Sequence, residues 1–160
     1  MDPVVSAPDP DLDLFIFGAT GDLSVRKLLP ALYMAHLHGN LPAGARILAV
    51  GRQALSREAF IQQVLGGARQ FIEARALQAE AWDRFEALID YVALDATEPE
   101  DFARLARHSR AGAQRVFYLA TAPALFTRIC AHLAGAGLVD AQARVVLEKP
   151  LGHEIGRAHV

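Results

Sequence analysis

The sequence has few of the features that build extracellular, membrane-spanning or nucleic-acid-binding proteins. Its single cysteine, Cys130, excludes an intramolecular disulfide and a cysteine-rich metal site. No apolar run approaches the ~18 residues of a membrane-spanning helix, and the acidic, proline-rich start does not resemble a signal peptide. A net charge of −2 gives no electrostatic attraction to nucleic acid or to an anionic membrane. We therefore expect a cytoplasmic protein that binds neither nucleic acid nor membrane.

The histidines give no metal-binding pattern. Only His36 and His38, of the six in the chain, lie at a spacing close to that of metal ligands. Two residues apart on a helix, their side chains point in different directions. We expect no metal site.

Apolar runs alternate with segments of helical periodicity along the whole chain. The predicted strands cover residues 12–17, 47–50, 91–94, 116–120 and 144–148. The predicted helices cover residues 23–37, 56–76, 80–88, 99–108 and 123–135. Because the strands are continuously apolar, both of their faces are expected to be buried. The sequence therefore predicts an α/β fold, a doubly wound, Rossmann-like parallel sheet with helices on both faces.

The stretch FIFGATGDLS, residues 15–24, is a candidate phosphate-binding turn. Gly18 permits a tight turn after the first strand, and Gly21 lets backbone N–H groups approach a pyrophosphate at the positive end of a helix. Ser24 replaces the usual third glycine, so the dinucleotide-binding fingerprint is incomplete. Asp22 is expected to cap the helix. A plain strand-to-helix turn stays open as the alternative.

The end of the second predicted strand carries Arg52. An NAD site would favour an acidic residue there to hold the ribose hydroxyls, whereas a guanidinium pairs with a 2′-phosphate. Arg52 therefore favours NADP over NAD, with a solvated surface arginine as the alternative. Lys149 and Pro150 close the last predicted strand at the edge where a ligand is expected. The lysine is a candidate cation for a phosphate or hydroxyl, again with a solvated side chain as the alternative.

Four motifs occur in suitable order: FGATGDLSVRKLLPALY, AVGR, VFYLATAP and VVLEKPLG. Together they resemble the N-terminal coenzyme domain of bacterial glucose-6-phosphate dehydrogenase, over residues 12–154. The resemblance implies that hydride passes from C1 of glucose 6-phosphate to NADP, giving 6-phosphoglucono-lactone in the pentose phosphate pathway. It also implies a homo-oligomer for the full-length enzyme.

The resemblance assigns roles by position. Arg52 is expected to meet the 2′-phosphate, Asp95 and Ala96 to lie near the adenine or ribose, and Lys149 to bridge coenzyme and substrate. Pro150 matches the family's cis proline, and Phe126 stands where some members have a coenzyme-contacting tyrosine. The residues expected to wrap the pyrophosphate are Gly18, Ala19, Thr20, Gly21, Asp22, Leu23, Ser24 and Val25.

The resemblance also implies what this chain lacks. The family's substrate domain, with its histidine general base, is expected to be missing from these 160 residues, so we expect no catalytic residue here and an inactive fragment. Residues 1–11, with three prolines and three aspartates, are expected to be a disordered lead. Residues 155–160, IGRAHV, depart from the family pattern and match a translated sequencing adapter. They are expected to be a non-native tail, with a natural divergent terminus as the alternative.

Two other functions are compatible with a GATG turn. A short-chain dehydrogenase would need a Tyr-x-x-x-Lys pair, but the tyrosines are followed four residues on by Leu37, Asp95 and Ala122. The other alternative is a non-catalytic NADP-binding module.

Overall fold

The structure is a computed structural model that describes residues 11–147. Its centre is a sheet of five parallel strands: β1 (Leu12–Phe17), β2 (Ala45–Gly51), β3 (Ile89–Ala93), β4 (Gln114–Leu119) and β5 (Arg144–Leu147). The strand order is β3-β2-β1-β4-β5. The chain therefore builds outward from β1 to one edge, then crosses back to the other side of β1. This reversal between β1 and β4 is the switch point at which doubly wound sheets bind ligands.

Five helical segments connect the strands. Helix α1 joins a π-helical turn, Ser24–Leu28, to Leu29–Leu37, and α2 runs from Arg57–Phe60 through Ile61–Leu65 and Gly66–Ala68 to a 3₁₀ turn, Arg69–Phe71. Helix α3 is Ala79–Ala87 and α4 is Pro99–Ala106. Helix α5 is Phe126–Gly135, preceded by a 3₁₀ turn, Pro123–Leu125. Another 3₁₀ turn, Ala74–Ala76, lies between α2 and α3.

Helices cover both faces of the central strands, which confirms the predicted doubly wound fold. The edge strand β5 differs from the sequence-based expectation, because all four of its residues are exposed. On one face, β1 contributes Leu14 and Ile16 to a core that also contains apolar residues of α1, α2 and α3. On the other face, Phe15 and Phe17 pack with apolar residues of α4 and α5. Successive β1 residues thus alternate between two cores, as the pleat of a strand requires.

The second helix is shorter than the sequence predicts. It ends in the 3₁₀ turn Arg69–Phe71, and Ile72 is already extended, with φ −116° and ψ 135°. Gly66 and Gly67 lower helix propensity just before this point. The 3₁₀ turn that follows, Ala74–Ala76, is held by a tertiary hydrogen bond in place of a continued helix. The Tyr33 hydroxyl donates to the Ala76 carbonyl at 2.6 Å. Tertiary contacts therefore end this helix.

The residues at which the strands begin and end are determined by pairing with the neighbouring strand, and not by the limits of the apolar runs. Strand β4 begins two residues earlier than predicted because Gln114 and Arg115 pair with Leu12 and Asp13 of β1. Asp13 is fully buried in this strand. Its carboxylate accepts a 2.9 Å hydrogen bond from Arg110 Nε and a 2.8 Å hydrogen bond from the Arg110 backbone N–H. The amino edge of the sheet is thus held by a buried ionic contact.

Within residues 11–147, no helix is long and apolar enough to cross a membrane. The same residues contain no group of three or more His, Cys, Asp or Glu side chains arranged to hold a metal ion.

Candidate functional site

A cavity of about 380 Å³ opens at the carboxyl ends of the central strands. Its walls come from the turn after β1, the end of β2, and the residues that follow β3 and β4. The lining residues are Phe17, Gly18, Thr20, Gly21, Val50, Gly51, Arg52, Gln53, Leu94, Ala96, Ala120, Thr121 and Leu125. This is the edge at which the sequence predicts ligand binding.

The turn between β1 and α1 is tied to the neighbouring strand. Gly18 has a φ of +82°, a conformation that favours glycine. The N–H groups of Gly18 and Ala19 both donate to the Val50 carbonyl of β2, each at 3.0 Å. A Cβ at Gly18 would lie only 2.7 Å from the Ala120 carbonyl oxygen, so β4 passes very close to the turn. Glycine is therefore required here for both conformation and space.

The first turn of α1 faces the cavity with its positive end. Gly21 lines the cavity. Residues 22 and 23 are already helical ahead of Ser24, and the Gly21 carbonyl accepts a 3.0 Å hydrogen bond from the Val25 N–H, so Gly21 is the N-cap of this helix. The first N–H groups of a helix have no partner within it and attract an anion. The expected capping role of Asp22 is wrong, because Gly21 already occupies that position. The Asp22 side chain is 92% exposed and lies 3.7 Å from Arg26 Nε.

Arg52 directly follows β2 and is exposed at the rim of the cavity. The backbone around it is fixed by Tyr91, whose hydroxyl donates to the Gln53 carbonyl at 2.6 Å. Burial raises the pKa of Tyr91 above its ordinary value. Gly51 has no room for a side chain, since a Cβ there would lie 2.8 Å from the Tyr91 hydroxyl. Tyr91 and Gly51 thus fix the backbone on either side of the arginine.

A smaller cavity of about 150 Å³ adjoins the first. Its lining residues are Arg52, Asp95, Ala96, Thr97 and Leu125. Asp95 Oδ1 accepts hydrogen bonds from the Thr97 N–H at 2.9 Å and from the Thr97 hydroxyl at 2.7 Å. These two bonds, followed by the positive charges of Arg52 and Arg128, lower the pKa of Asp95. An ionised carboxylate therefore stands opposite Arg52.

The structure brings together about half of the residues predicted to contact the coenzyme. The larger cavity is lined by Gly18, Thr20, Gly21, Arg52 and Ala96, and the smaller one by Asp95.

The remaining predicted residues lie elsewhere. Ala19 and Ser24 are fully buried, and Val25 packs against the core. Neither Leu23 nor Asp22 is among the lining residues of the larger cavity. Lys149 falls outside the described residues, as does Pro150.

Sequence reasoning did not assign site roles to Gln53, Ala120, Thr121 or Leu125, which all line the larger cavity. Their positions after β2 and β4 are the signal that could have found them. Ligands in doubly wound sheets lie outside the carboxyl ends of the strands, so the residues that follow each strand are candidates.

The sequence matches a known protein family. The family model described as glucose-6-phosphate dehydrogenase, NAD binding domain, matches residues 15–159. The chain belongs to the glucose-6-phosphate dehydrogenase family. This confirms the resemblance carried by the four motifs, and it favours this family over a short-chain dehydrogenase.

Individual relatives in the glucose-6-phosphate dehydrogenase family agree. The chain is 42% identical to glucose-6-phosphate 1-dehydrogenase of Mycolicibacterium smegmatis, over 99% of this chain and 33% of that protein. It is 39% identical to the Gluconobacter oxydans enzyme, over 91% of this chain and 31% of that protein. The chain thus spans about a third of the length of the curated relatives that it matches.

Solved structures give the same result for the fold. Glucose-6-phosphate 1-dehydrogenase from Mycobacterium avium superposes with a TM-score of 0.77 at 31% identity, covering 91% of this chain and 31% of that one. A glucose-6-phosphate dehydrogenase solved in complex with its substrate, glucose-6-phosphate, gives 0.76 at 26% identity, covering 94% and 32%. The described residues therefore form the nicotinamide-dinucleotide-binding domain of this family.

Proposed function

We propose that this chain binds NADP and forms the coenzyme-binding part of an enzyme that oxidises glucose 6-phosphate at C1. In this reaction hydride passes to NADP and 6-phosphoglucono-lactone is formed. The observation that carries the NADP proposal is Arg52 at the end of β2, on the rim that the two adjoining cavities share. A guanidinium there binds a 2′-phosphate and gives no advantage to the free hydroxyl of NAD.

The turn after β1 is the proposed binding site for the pyrophosphate of the coenzyme. The pyrophosphate lies against Gly18, Thr20 and Gly21, where the positive end of α1 faces the cavity. The apolar interior of the cavity, with Phe17 and Val50 among its lining residues, shelters the ring system from water. The adenosine lies towards Asp95 and Ala96. In the complete enzyme, Lys149 bridges coenzyme and substrate.

We also propose that these 160 residues bind coenzyme without oxidising the sugar. Oxidation at C1 needs a base to accept the proton of the hydroxyl group. None of the residues that line the larger cavity is a His, Asp, Glu, Lys or Cys. The histidine base expected from the family is not supplied by the described part of this site. The cytoplasmic location and the homo-oligomeric state stay predictions.

Titration of the chain with NADP and NAD tests the coenzyme proposal. We expect Arg52→Gln to weaken NADP binding by about 1–2 kcal/mol, or roughly five- to thirtyfold, because it removes an exposed charge-assisted pair. NAD binding should change by less than about twofold. The matched control is Arg75→Gln, which removes the same charge from a side chain that is 85% exposed and lines neither cavity. Equal binding of both coenzymes by the unaltered chain would contradict the proposal.

A coupled assay tests the catalytic part separately. With glucose 6-phosphate and NADP, the chain alone should produce no NADPH above background. Production of NADPH at a rate typical of an enzyme, with a kcat of about 1 per second or more, would overturn the proposed division between this domain and the rest of the enzyme.

A further inference from the structure

A second arginine lies next to the cavity that Arg52 and Asp95 share. Arg128 is in the first turn of α5, three residues after Leu125, in a continuous helical segment that begins with the turn Pro123–Leu125. Residues three apart on a helix lie on the same face. Leu125 lines both cavities, so Arg128 lies one helical turn from a residue of their common wall.

The two arginines and the carboxylate interact electrostatically. The positive charges of Arg52 and Arg128 both act on Asp95, in addition to its two hydrogen bonds from Thr97. Arg52 comes from the end of β2 and Arg128 from the segment after β4. Arg52, which lines the smaller cavity, and Arg128, one helical turn after Leu125 of its wall, thus both place positive charge near Asp95.

The guanidinium groups keep their hydrogen-bonding capacity free. Both arginines are exposed, and within residues 11–147 neither side chain forms a hydrogen bond or an ion pair. Asp95 Oδ1, in contrast, is already occupied by Thr97. Two positive charges and one negative charge leave a local net charge of about +1, although the whole chain carries −2.

We propose that Arg128 is a second specificity-determining residue that binds the 2′-phosphate of NADP together with Arg52. The proposal rests on the proposed function and extends it to a residue of α5. A phosphate monoester carries a charge of about −1.5 to −2 at neutral pH, so a single arginine neutralises only part of it. Asp95 repels the same phosphate, and Arg128 offsets this repulsion.

Two nucleotides that differ only in the 2′-phosphate isolate this effect. Adenosine 2′,5′-bisphosphate and 5′-AMP are titrated by calorimetry into the unaltered chain and into Arg128→Gln, Arg52→Gln and Arg75→Gln variants. We expect Arg128→Gln to weaken the bisphosphate about three- to tenfold and to change 5′-AMP by less than twofold. Arg75→Gln, the matched control, should change neither. The preference for the bisphosphate should also fall less steeply with added salt in Arg128→Gln, because one phosphate contact is gone.

The outcomes separate the two proposals. If Arg52→Gln removes the preference for the bisphosphate and Arg128→Gln leaves it intact, the role of Arg128 is overturned and the NADP proposal stands. Equal weakening of both nucleotides by Arg128→Gln also overturns the role, since the residue would then act on the adenosine or on the fold. If the unaltered chain shows no preference for the bisphosphate, both proposals fail. An unfolding midpoint in urea that matches the unaltered chain checks that Arg128→Gln is folded.

Discussion

Replacing Gly18 by alanine tests whether the turn after β1 needs glycine for its conformation, for its space, or for both. The added Cβ would lie 2.7 Å from the Ala120 carbonyl oxygen and 3.0 Å from Thr121 Cγ2. The Ala120 backbone is not free to move, because its N–H donates to the Phe17 carbonyl at 2.9 Å. The positive φ of +82° adds a second penalty for any side chain.

Two other glycines separate these penalties. Gly39 and Gly112 have φ values of +74° and +80°, but a Cβ at either position would meet nothing within 4 Å. Alanine at these positions should therefore cost only the conformational term, about 1 kcal/mol each. At Gly18 the steric term is added, and overpacking of a fixed site costs about 1–3 kcal/mol more. We expect Gly18→Ala to lower the free energy of unfolding by about 3 kcal/mol.

The assay is urea denaturation followed by the fluorescence of Trp82, the single tryptophan, which is buried in the folded chain. Gly18→Ala should lower the midpoint well below those of Gly39→Ala and Gly112→Ala. It should also weaken NADP binding, whereas the two controls should not. A Gly18→Ala variant that loses no more stability than the controls would refute the close approach of β4 to the turn.

Two further predictions concern ionisable groups away from the cavities. Asp13→Asn should destabilise the fold by about 3 kcal/mol in the same denaturation assay, because Arg110, now 2.8 Å from the Asp13 carboxylate, would lose its buried counter-charge; a loss below about 1 kcal/mol would contradict this. Burial and then the charge of Arg84 lower the pKa of His36 below its ordinary value of 6.5. Its contribution to stability is therefore present above pH 6.5 and lost as pH falls through the lowered pKa. His36→Gln should reduce the loss of stability between about pH 7 and pH 5, and an unchanged pH dependence would show that this histidine does not contribute.

Much of the fold was predictable because the strands are continuously apolar. That pattern predicts burial of both faces, and the alternation of strands with helices then gives a parallel sheet. Strand ends and the length of α2 were not predictable, since they depend on partners that are distant in the sequence. Asp13 is the clearest case: an aspartate in an apolar strand is noticeable, but its partner Arg110 lies 97 residues away.

The candidate site was predictable at residues that belong to a recognisable local sequence pattern. Gly18 and Gly21 are recognisable from the turn chemistry, and Arg52 from its place after a strand. Arg128 belongs to no such pattern, because an arginine in the first turn of an amphipathic helix is common. Only the tertiary fold brings its charge near Asp95, which follows β3 and lies 33 residues before Arg128 in the sequence. Charged residues that follow different strands can thus act on one another in a site although the sequence spacing does not predict it.

The direction of the strands divides the molecule into a stabilising edge and a binding edge. At the amino edge, the carboxylate of Asp13 is buried and its oxygens are occupied by Arg110. At the carboxyl edge, Arg52 and Arg128 are exposed and unpaired within the described residues. Paired charges hold a fold together, whereas unpaired ones remain available to a ligand. Substitutions at the amino edge should therefore change stability more than coenzyme preference, and charge-removing substitutions at the carboxyl edge should do the reverse.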